Sequence, residues 1–591
     1  DEDGPYIELM AGVYTDNQPD FTWLKPFEEK TFTQYFLPYR ELGVVKNASK
    51  DILLSLDAEK NNVKLKVFVT SAQELNIKVM KGDEILIDKT QSLHPEDILE
   101  EEVPVEGNVG LKDFKVFIYN QIGKEVLKYD PADDVSTDPL PEAAKPALQP
   151  AETENNEQLF LTGQHLEQYR HATYRPMPYY LEAIKRDSGD IRSNNAVGLW
   201  YFRKGLFDAS IPYFEKAIET ITSRNPNPYN CEPYYNLGLA LFFVGNVTEA
   251  YDAFFKAAWD KSFQDVAYHY IAQIDLQRGD FVRCLEHINW ALDRNARNGK
   301  AYVIKAKVLN SLGFIDKALE VLEQALKRDV FNLTAFYEKY LLLEGTKGAE
   351  EVKESLLKLS GSNSHNAIEY AIDYLHLGAF QTAIDYMELI AENCLSEPLI
   401  NYYLGYAYLQ MSNQSAAMKH FEKASKADPS YCFPNRLQDI VVLKAAIANS
   451  PEDGKAPYYL GNLYYDKQQY DLAISLWEKA AKLDGQFPTV HRNLGLAYYN
   501  KKQDQKNALK SYETAFALDP KDARVLMELD SLYKKLNKSL EERLEFLKQT
   551  VSSAINQTYK NIQICISQNP KPDGLDKDIK LWCESQAILH T

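Results

Sequence analysis

The sequence predicts a multidomain, mostly α-helical chain. A short β remnant covers 1–43, a small β-sandwich 44–130, a linker 131–157, a solenoid of helical hairpins 158–550 and a divergent tail 551–591. Three observations carry this. Before residue 130, apolar residues alternate with polar ones in short runs, the period of a strand. Prolines then gather among Ala, Asp and Glu. From Leu159 the apolar pattern turns helical and repeats with a period of about 34 residues.

The remnant opens on a strand from Tyr6 to Met10, followed by a loop from Asp16 to Phe21 and an alternating aromatic strand from Lys30 to Tyr39. Two strands do not make an independent core, so residues 1–43 read as the closing edge of a domain. Runs from Ile52 to Leu56, Val63 to Val69, Ile77 to Met80 and Phe114 to Tyr119 read as strands, with a hairpin turn at Lys81-Gly82-Asp83-Glu84. Short strands at this spacing predict an Ig-like β-sandwich. Its charged residues alternate outward, and it carries no chemistry of its own. Pro131, Pro139, Pro141, Pro146 and Pro150 mark the linker, which has too few bulky apolar residues to offset the entropy of ordering.

The repeat that begins at Cys231 supplies Tyr234, Leu237, Gly238, Gly245, Ala250, Phe254 and Ala257. The one at Pro398 supplies Leu404, Gly405, Tyr408, Ala417, Phe421, Ala424 and Pro429. The one at Pro488 supplies Leu494, Gly495, Tyr498 and, after a one-residue insertion, Ala508, Tyr512, Ala515 and Pro520. Small residues at positions 8, 20 and 27 let successive helices approach, and the bulky positions fill the space between them. No hairpin buries its apolar face alone, so neighbours stack. This is the tetratricopeptide (TPR) pattern. It predicts eight to ten hairpins over 159–550, with an irregular repeat over 333–363 that contains Gly345, Gly348 and Gly361.

The chain has 591 residues and a formal charge of −19, from 85 acidic and 66 basic side chains. That balance argues against nucleic acid and anionic membrane as partners, since both reward clustered Lys and Arg. No apolar stretch approaches the roughly 20 residues that span a bilayer. Cys231, Cys284, Cys394, Cys432, Cys565 and Cys583 form no C-x-x-C pair and have no histidine at zinc spacing. They read as reduced thiols in a cytoplasmic protein, and neither a metal nor a cofactor is expected. No nucleotide-binding loop, H-E-x-x-H or G-x-S-x-G motif occurs.

TPR arrays bind protein segments on the face made by the first helix of each hairpin. Positions 5 and 9 of those helices supply the candidate groove residues Tyr235, His269, Tyr402, Tyr406, Tyr458, Asn462 and Arg492. They form no repeated Lys/Asn clamp, so an aromatic, partly apolar groove for a protein or peptide is implied; the alternative is that many of these tyrosines pack inside the solenoid. His165 and His171 lie six apart, off the spacing that places two ligands on one helix face, and read as part of a cap. His365 and His376 read as surface or packing residues.

Two resemblances add to this. Ile7-Glu8-Leu9, Asp16-Asn17-Gln18-Pro19-Asp20-Phe21, Leu24-Lys25-Pro26-Phe27-Glu28 and the aromatics from Phe32 to Tyr39 resemble the closing strands of galactose-mutarotase-like β-supersandwiches. In true mutarotases a Glu on that strand is the general base, and the matching position is Glu8. Phe27 stands where the family has a turn glycine. Together with His165 to Thr173, Asn225 to Tyr229, Ala250 to Phe254 and Arg294 to Asn298, the chain from about residue 5 to about 549 resembles bacterial TPR proteins with an N-terminal galactose-mutarotase-like domain of unknown function. The resemblance implies a TPR binding scaffold associated with carbohydrate recognition. The competing expectation is a sugar epimerase or glycan-active enzyme with Glu8 as its base.

Overall fold

The computed structural model describes residues 29–131 and 146–539, apart from 60, 96, 108, 170–172, 362–363 and 392–396, with isolated residues beyond 540. Glu8, His171 and the strand expected from Tyr6 to Met10 lie outside the described residues. The chain divides into two compact units, Asp1–Ala147 and Leu148–Thr591.

In the first unit, β1 (Val45–Ala48), β2 (Ile52–Glu59), β3 (Asn62–Val69) and β6 (Ile98–Pro104) make one antiparallel sheet in the order β1-β2-β3-β6. β4 (Gln73–Lys81), β5 (Glu84–Leu93), β7 (Phe114–Asn120) and β8 (Glu125–Tyr129) make the other, in the order β5-β4-β7-β8. Val63, Leu65 and Val67 of β3 share one core with Leu75, Ile77 and Val79 of β4. The intervening Lys64 and Lys66 reach Glu100 of β6 on the outer face. The β4–β5 hairpin closes at Lys81 and Glu84, where Gly82 takes the positive φ of the turn. The alternation that predicted a sandwich is therefore the alternation of core and solvent. Residues 30–39, by contrast, form no strand. Phe32, Tyr35 and Phe36 are exposed, because no strand among the described residues pairs with that segment.

The second unit stacks helical hairpins. The first is α1 (Asn156–Gln168) with α2 (Met177–Arg186). There follow α3 (Ile191–Arg203) with α4 (Phe207–Thr222), α5 (Glu232–Phe243) with α6 (Val247–Ala257), and α7 (Gln264–Gln277) with α8 (Phe281–Arg294). Next come α9 (Gly299–Ser311) with α10 (Ile315–Arg328), α11 (Leu333–Leu342) with α12 (Lys347–Ser360), and α13 (Ser364–His376) with α14 (Phe380–Ile390). α15 (Pro398–Gln410) pairs with α16 (Gln414–Lys426), and a single helix α17 (Leu437–Asn449) stands between that hairpin and α18 (Lys455–Asp466) with α19 (Tyr470–Leu483). α20 (Pro488–Ala497) with α21 (Gln505–Leu518) and a last helix, α22 (Ala523–Lys535), complete the described array. Ten hairpins result, at the upper end of the expected number, and the irregular stretch 333–363 is an ordinary helix pair.

The helices approach closely because glycine faces an aromatic ring. A Cβ on Gly198 would lie 2.6 Å from Phe214, on Gly238 2.7 Å from Phe254, and on Gly405 2.5 Å from Phe421. Gly461 meets Trp477 and Gly495 meets Tyr512 in the same way, each at 2.6 Å. Other hairpins carry Ala272 with Ile288, Ala306 with Leu322 and Ala371 with Met387 at these positions, all buried. The methyl is tolerated where the partner is not a ring. The one-residue insertion before Ala508 is absorbed by a π turn over Tyr498–Lys502, the wider turn that admits one extra residue.

The linker is docked from Leu148 onward. The Tyr179 hydroxyl donates to the Leu148 carbonyl at 2.7 Å. The Arg186 guanidinium donates to the carbonyls of Thr153, Pro150 and Ala151 at 2.8, 3.1 and 3.2 Å.

Gly405→Ala should destabilise the solenoid by about 1–3 kcal/mol, the cost of overpacking, because the Ala417 carbonyl also lies 3.2 Å from the new methyl. Gly348→Ala, which meets nothing closer than 3.7 Å, should be neutral or stabilise by up to about 1 kcal/mol. The thermal midpoint of the helical circular-dichroism signal separates the two, and equal midpoints would contradict the close-contact account.

Candidate functional site

From the second hairpin onward the first helices (α3, α5, α7, α9, α11, α13, α15, α18 and α20) line one side of the solenoid, and contacts between distant helices curl that side onto itself. Lys300 of α9 pairs with Asp373 of α13 at 2.6 Å. The Gln277 amide of α7 donates to the His376 carbonyl. Lys307 meets the buried Glu338 at 3.0 Å. These contacts spend the charges between α7 and α13 within the protein.

Helix α17 continues the closure. α15 and α18 start at Pro398 and Lys455, about 20 residues further apart than one repeat. The extra segment forms α17, packed against both helices. Its sequence, LQDIVVLKAAIAN, buries Ile440, Val442, Leu443 and Ala446. Asp439, fully buried, accepts the Tyr403 hydroxyl at 2.6 Å and the backbone N–H groups of Asn435 and Arg436 at 2.8 and 2.9 Å. Arg436 donates to the His365 carbonyl at 3.1 Å and pairs with Glu369. On its far side, the Ile440 methyl abuts Gly205, in the turn between α3 and α4, so closely that a Cβ there would lie 2.1 Å away.

Between α17 and the ends of α5, α7, α13 and α15 lies a cavity of about 660 Å³. Phe242, Phe243, Phe380, Leu375 and Val441 supply apolar walls, while Tyr406, Gln277, Gln410, Gln438 and His376 supply polar atoms. The His376 ring packs edge-on to Phe242 at 5.4 Å. Burial, aided by the nearby Lys300 charge, pushes its pKa down to about 4, so the ring is neutral near pH 7. A second, more polar cavity of about 770 Å³ borders α1, α3 and α5. Its Arg192 and Arg203 are already paired with Glu157 and Glu167.

Of the groove residues expected from the repeat positions, Tyr406 alone borders the cavity beside α17. Tyr402 does not line a groove. It is fully buried, and its hydroxyl donates to Asp453 at 2.8 Å. Tyr235 packs among Phe254, Phe263 and Tyr270, its ring tilted or edge-on to each. Tyr458 is buried against Phe487, 4.6 Å between ring centres. His269 is buried, its Nε2 accepting from Gln273 at 3.2 Å, and burial lowers its pKa to about 4. Asn462 accepts from the Trp477 indole at 3.0 Å and from Asn493 at 3.2 Å. Arg492 is engaged by Glu528. Tyr402, Tyr458 and His269 are thus buried, while the partly buried Tyr235, Asn462 and Arg492 are engaged within the chain. His376, expected as packing, does border the cavity. α17 lies outside the repeat pattern, and the widened spacing between the repeats at Pro398 and Lys455 is its signal in the sequence. Among the described residues no group of His, Cys, Asp and Glu could hold a metal ion, and no helix is long and apolar enough to cross a membrane.

Residues 47–129 match the second domain of YphG-like proteins. Residues 191–221, 400–431 and 491–522 match the tetratricopeptide repeat, and 461–502 match a further TPR family. The chain is a TPR-repeat protein with an N-terminal YphG-like domain. It is 25% identical over 336 residues to the BBSome complex member BBS4 homolog of Drosophila melanogaster, covering 54% of this chain and 64% of that one. It is 22% identical over 325 residues to a TPR repeat-containing protein of Methanocaldococcus jannaschii, covering 52% and 53%. The chain therefore spans less than two thirds of the length of these curated relatives. Among solved structures, YrrB, described as a TPR protein with an unusual peptide-binding site, is similar at TM-score 0.17 and 16% identity, over 41% of this chain and 96% of that one. The Naa15/Naa10 complex bound to HypK-THB is similar at TM-score 0.24 and 14% identity, over 67% and 68%. Neither likeness says what this solenoid holds.

Ile440→Ala should cost about 2–5 kcal/mol, as for a buried aliphatic truncation, and should raise the radius of gyration in solution scattering as the contact with Gly205 loosens. An unchanged radius would mean that α17 does not hold the curl.

Stability should also fall on acidification. His269, His376 and His420 have native pKa values of about 4, chiefly through burial, against about 6.5 when unfolded. Between these values the unfolded chain binds more protons, so stability is lost as pH drops from about 6.5 towards 4. Urea midpoints measured across that window should decline, and a flat profile would contradict the burial of these rings.

Proposed function

We propose that this protein is a scaffold whose solenoid holds a segment of another protein at the cavity walled by α5, α7, α13, α15 and α17. One observation carries the reading. Along a face whose charges are otherwise spent internally, this half-enclosed apolar space has the size and the scatter of polar atoms of a ligand site. A relative described as a member of a complex accords with it. We place the protein in the cytoplasm, a reading supported by the free, buried Cys231, Cys284 and Cys432. Carbohydrate recognition through the N-terminal region rests on the resemblance of residues 7–39 to mutarotase closing strands. So does the alternative of a sugar epimerase or glycan-active enzyme with Glu8 as general base.

The test is photo-cross-linking with p-benzoylphenylalanine in place of Tyr406 in the full chain, in a lysate of the cells it comes from. A discrete partner should be captured that is absent when the probe replaces the exposed Tyr431. Cross-links confined to the chain itself would make the solenoid an internal brace and end the scaffold reading. On a glycan array, failure to bind, or binding unaffected by Glu8→Gln, would end the carbohydrate reading.

A further inference from the structure

None of the 18 residues lining the cavity beside α17 is Asp, Glu, Lys or Arg, although such residues make up 26% of the chain. Its one histidine, His376, is neutral at pH 7, and burial keeps the Tyr403 and Tyr406 phenols protonated. A charged group entering this space would lose part of its hydration and find no counter-charge. The cavity therefore excludes charge. It is not simply greasy, however. The side chains of Gln410 and Gln438 and the hydroxyl of Tyr406 make no hydrogen bond to the described protein, yet all three border the same space. A glutamine amide offers donors and an acceptor together, the same pair that each peptide unit of an extended chain presents. Around them Phe242, Phe243, Phe380 and Val441 offer surface to bulky side chains.

We infer that the cavity receives an uncharged stretch of a partner protein, with bulky apolar side chains against the phenylalanines and its backbone bonded by Gln410, Gln438 and Tyr406. This rests on the scaffold reading above and names the chemistry of its partner. The sequence of α17 supports it, because the wall it supplies, Val441, Val442 and Ala445, is itself apolar. The polar cavity beside α1 serves as the contrast. Its arginines are matched by the chain's own glutamates, but Glu232 leaves a negative charge at its wall, which the cavity beside α17 lacks.

The experiment is panning of a displayed library of random 12-residue peptides on the full chain. It is followed by affinity measurements of the enriched peptides on wild type, Val441→Trp and Gln410→Glu. Val441→Trp places an indole in the cavity and narrows it. Gln410→Glu changes an exposed, unbonded side chain and places a charge at the site without touching the core, so it reports even if the tryptophan variant folds poorly. Enriched peptides should share an uncharged core with aromatic or branched residues, and should bind Gln410→Glu about tenfold more weakly. Peptides enriched for acidic or basic residues, or binding both variants as tightly as wild type, would overturn the inference and leave the scaffold reading standing. If no peptide is enriched while the uncharged dye N-phenyl-1-naphthylamine binds wild type and not Val441→Trp, the cavity is a small-molecule pocket, and the inference is likewise overturned. If neither peptide nor dye binds, both readings fall.

Discussion

A ring packed against a bare Cα sets the dimensions of this solenoid. In hairpin after hairpin, the aromatic residue of the second helix occupies the space that a glycine on the first leaves open. A methyl in that place would sit inside the ring's van der Waals shell, so the helices could approach no further, and every later hairpin would inherit the offset. Dense packing transmits such strain instead of absorbing it. The alanine hairpins bury Ile288, Leu322 and Met387 where the others carry rings. Volume is conserved across the pair, while identity at either position is not.

Those small offsets accumulate into the curl that makes the site. Because the first helices face inward, Lys300 can reach Asp373 and Gln277 can reach His376. The inward face then needs something to fill it where the curl does not close. Over part of its length α17 does so, its fully buried Asp439 satisfied by the Tyr403 hydroxyl and two backbone amides. A buried carboxylate is tolerated only with such partners. The space left unfilled is the uncharged cavity.

Most of the architecture was legible in the sequence. The strand alternation of Val63 to Val69 and the phased glycines at 238, 405 and 495 reflect local periods, and local periods survive without knowledge of the partner. The site was much less legible. Repeat positions identify which side chains point to the inward face, but they do not say how far that face curls. Tyr402 and Tyr406 occupy equivalent-looking places on α15, yet one is sealed against Asp453 and the other borders open space. The difference comes from α17 and from hairpins far away in sequence. The helix itself was hidden because it obeys no repeat, and its apolar run looks like any other core segment.

The contact between Gly205 and Ile440 changes how the array should be thought of as a material. A linear stack of repeats is held by neighbours alone, so its stability is a sum of local terms and it frays from either end. Here two elements more than two hundred residues apart are pressed together. The stack is thereby tied into a loop, and fraying between the tie points must break the knot or leave it whole. The solenoid between α3 and α18 is accordingly closer to a clasped bracelet than to an open spring: rigid as a unit, slow to assemble because its clasp must wait for long-range search, and soft only beyond the clasp.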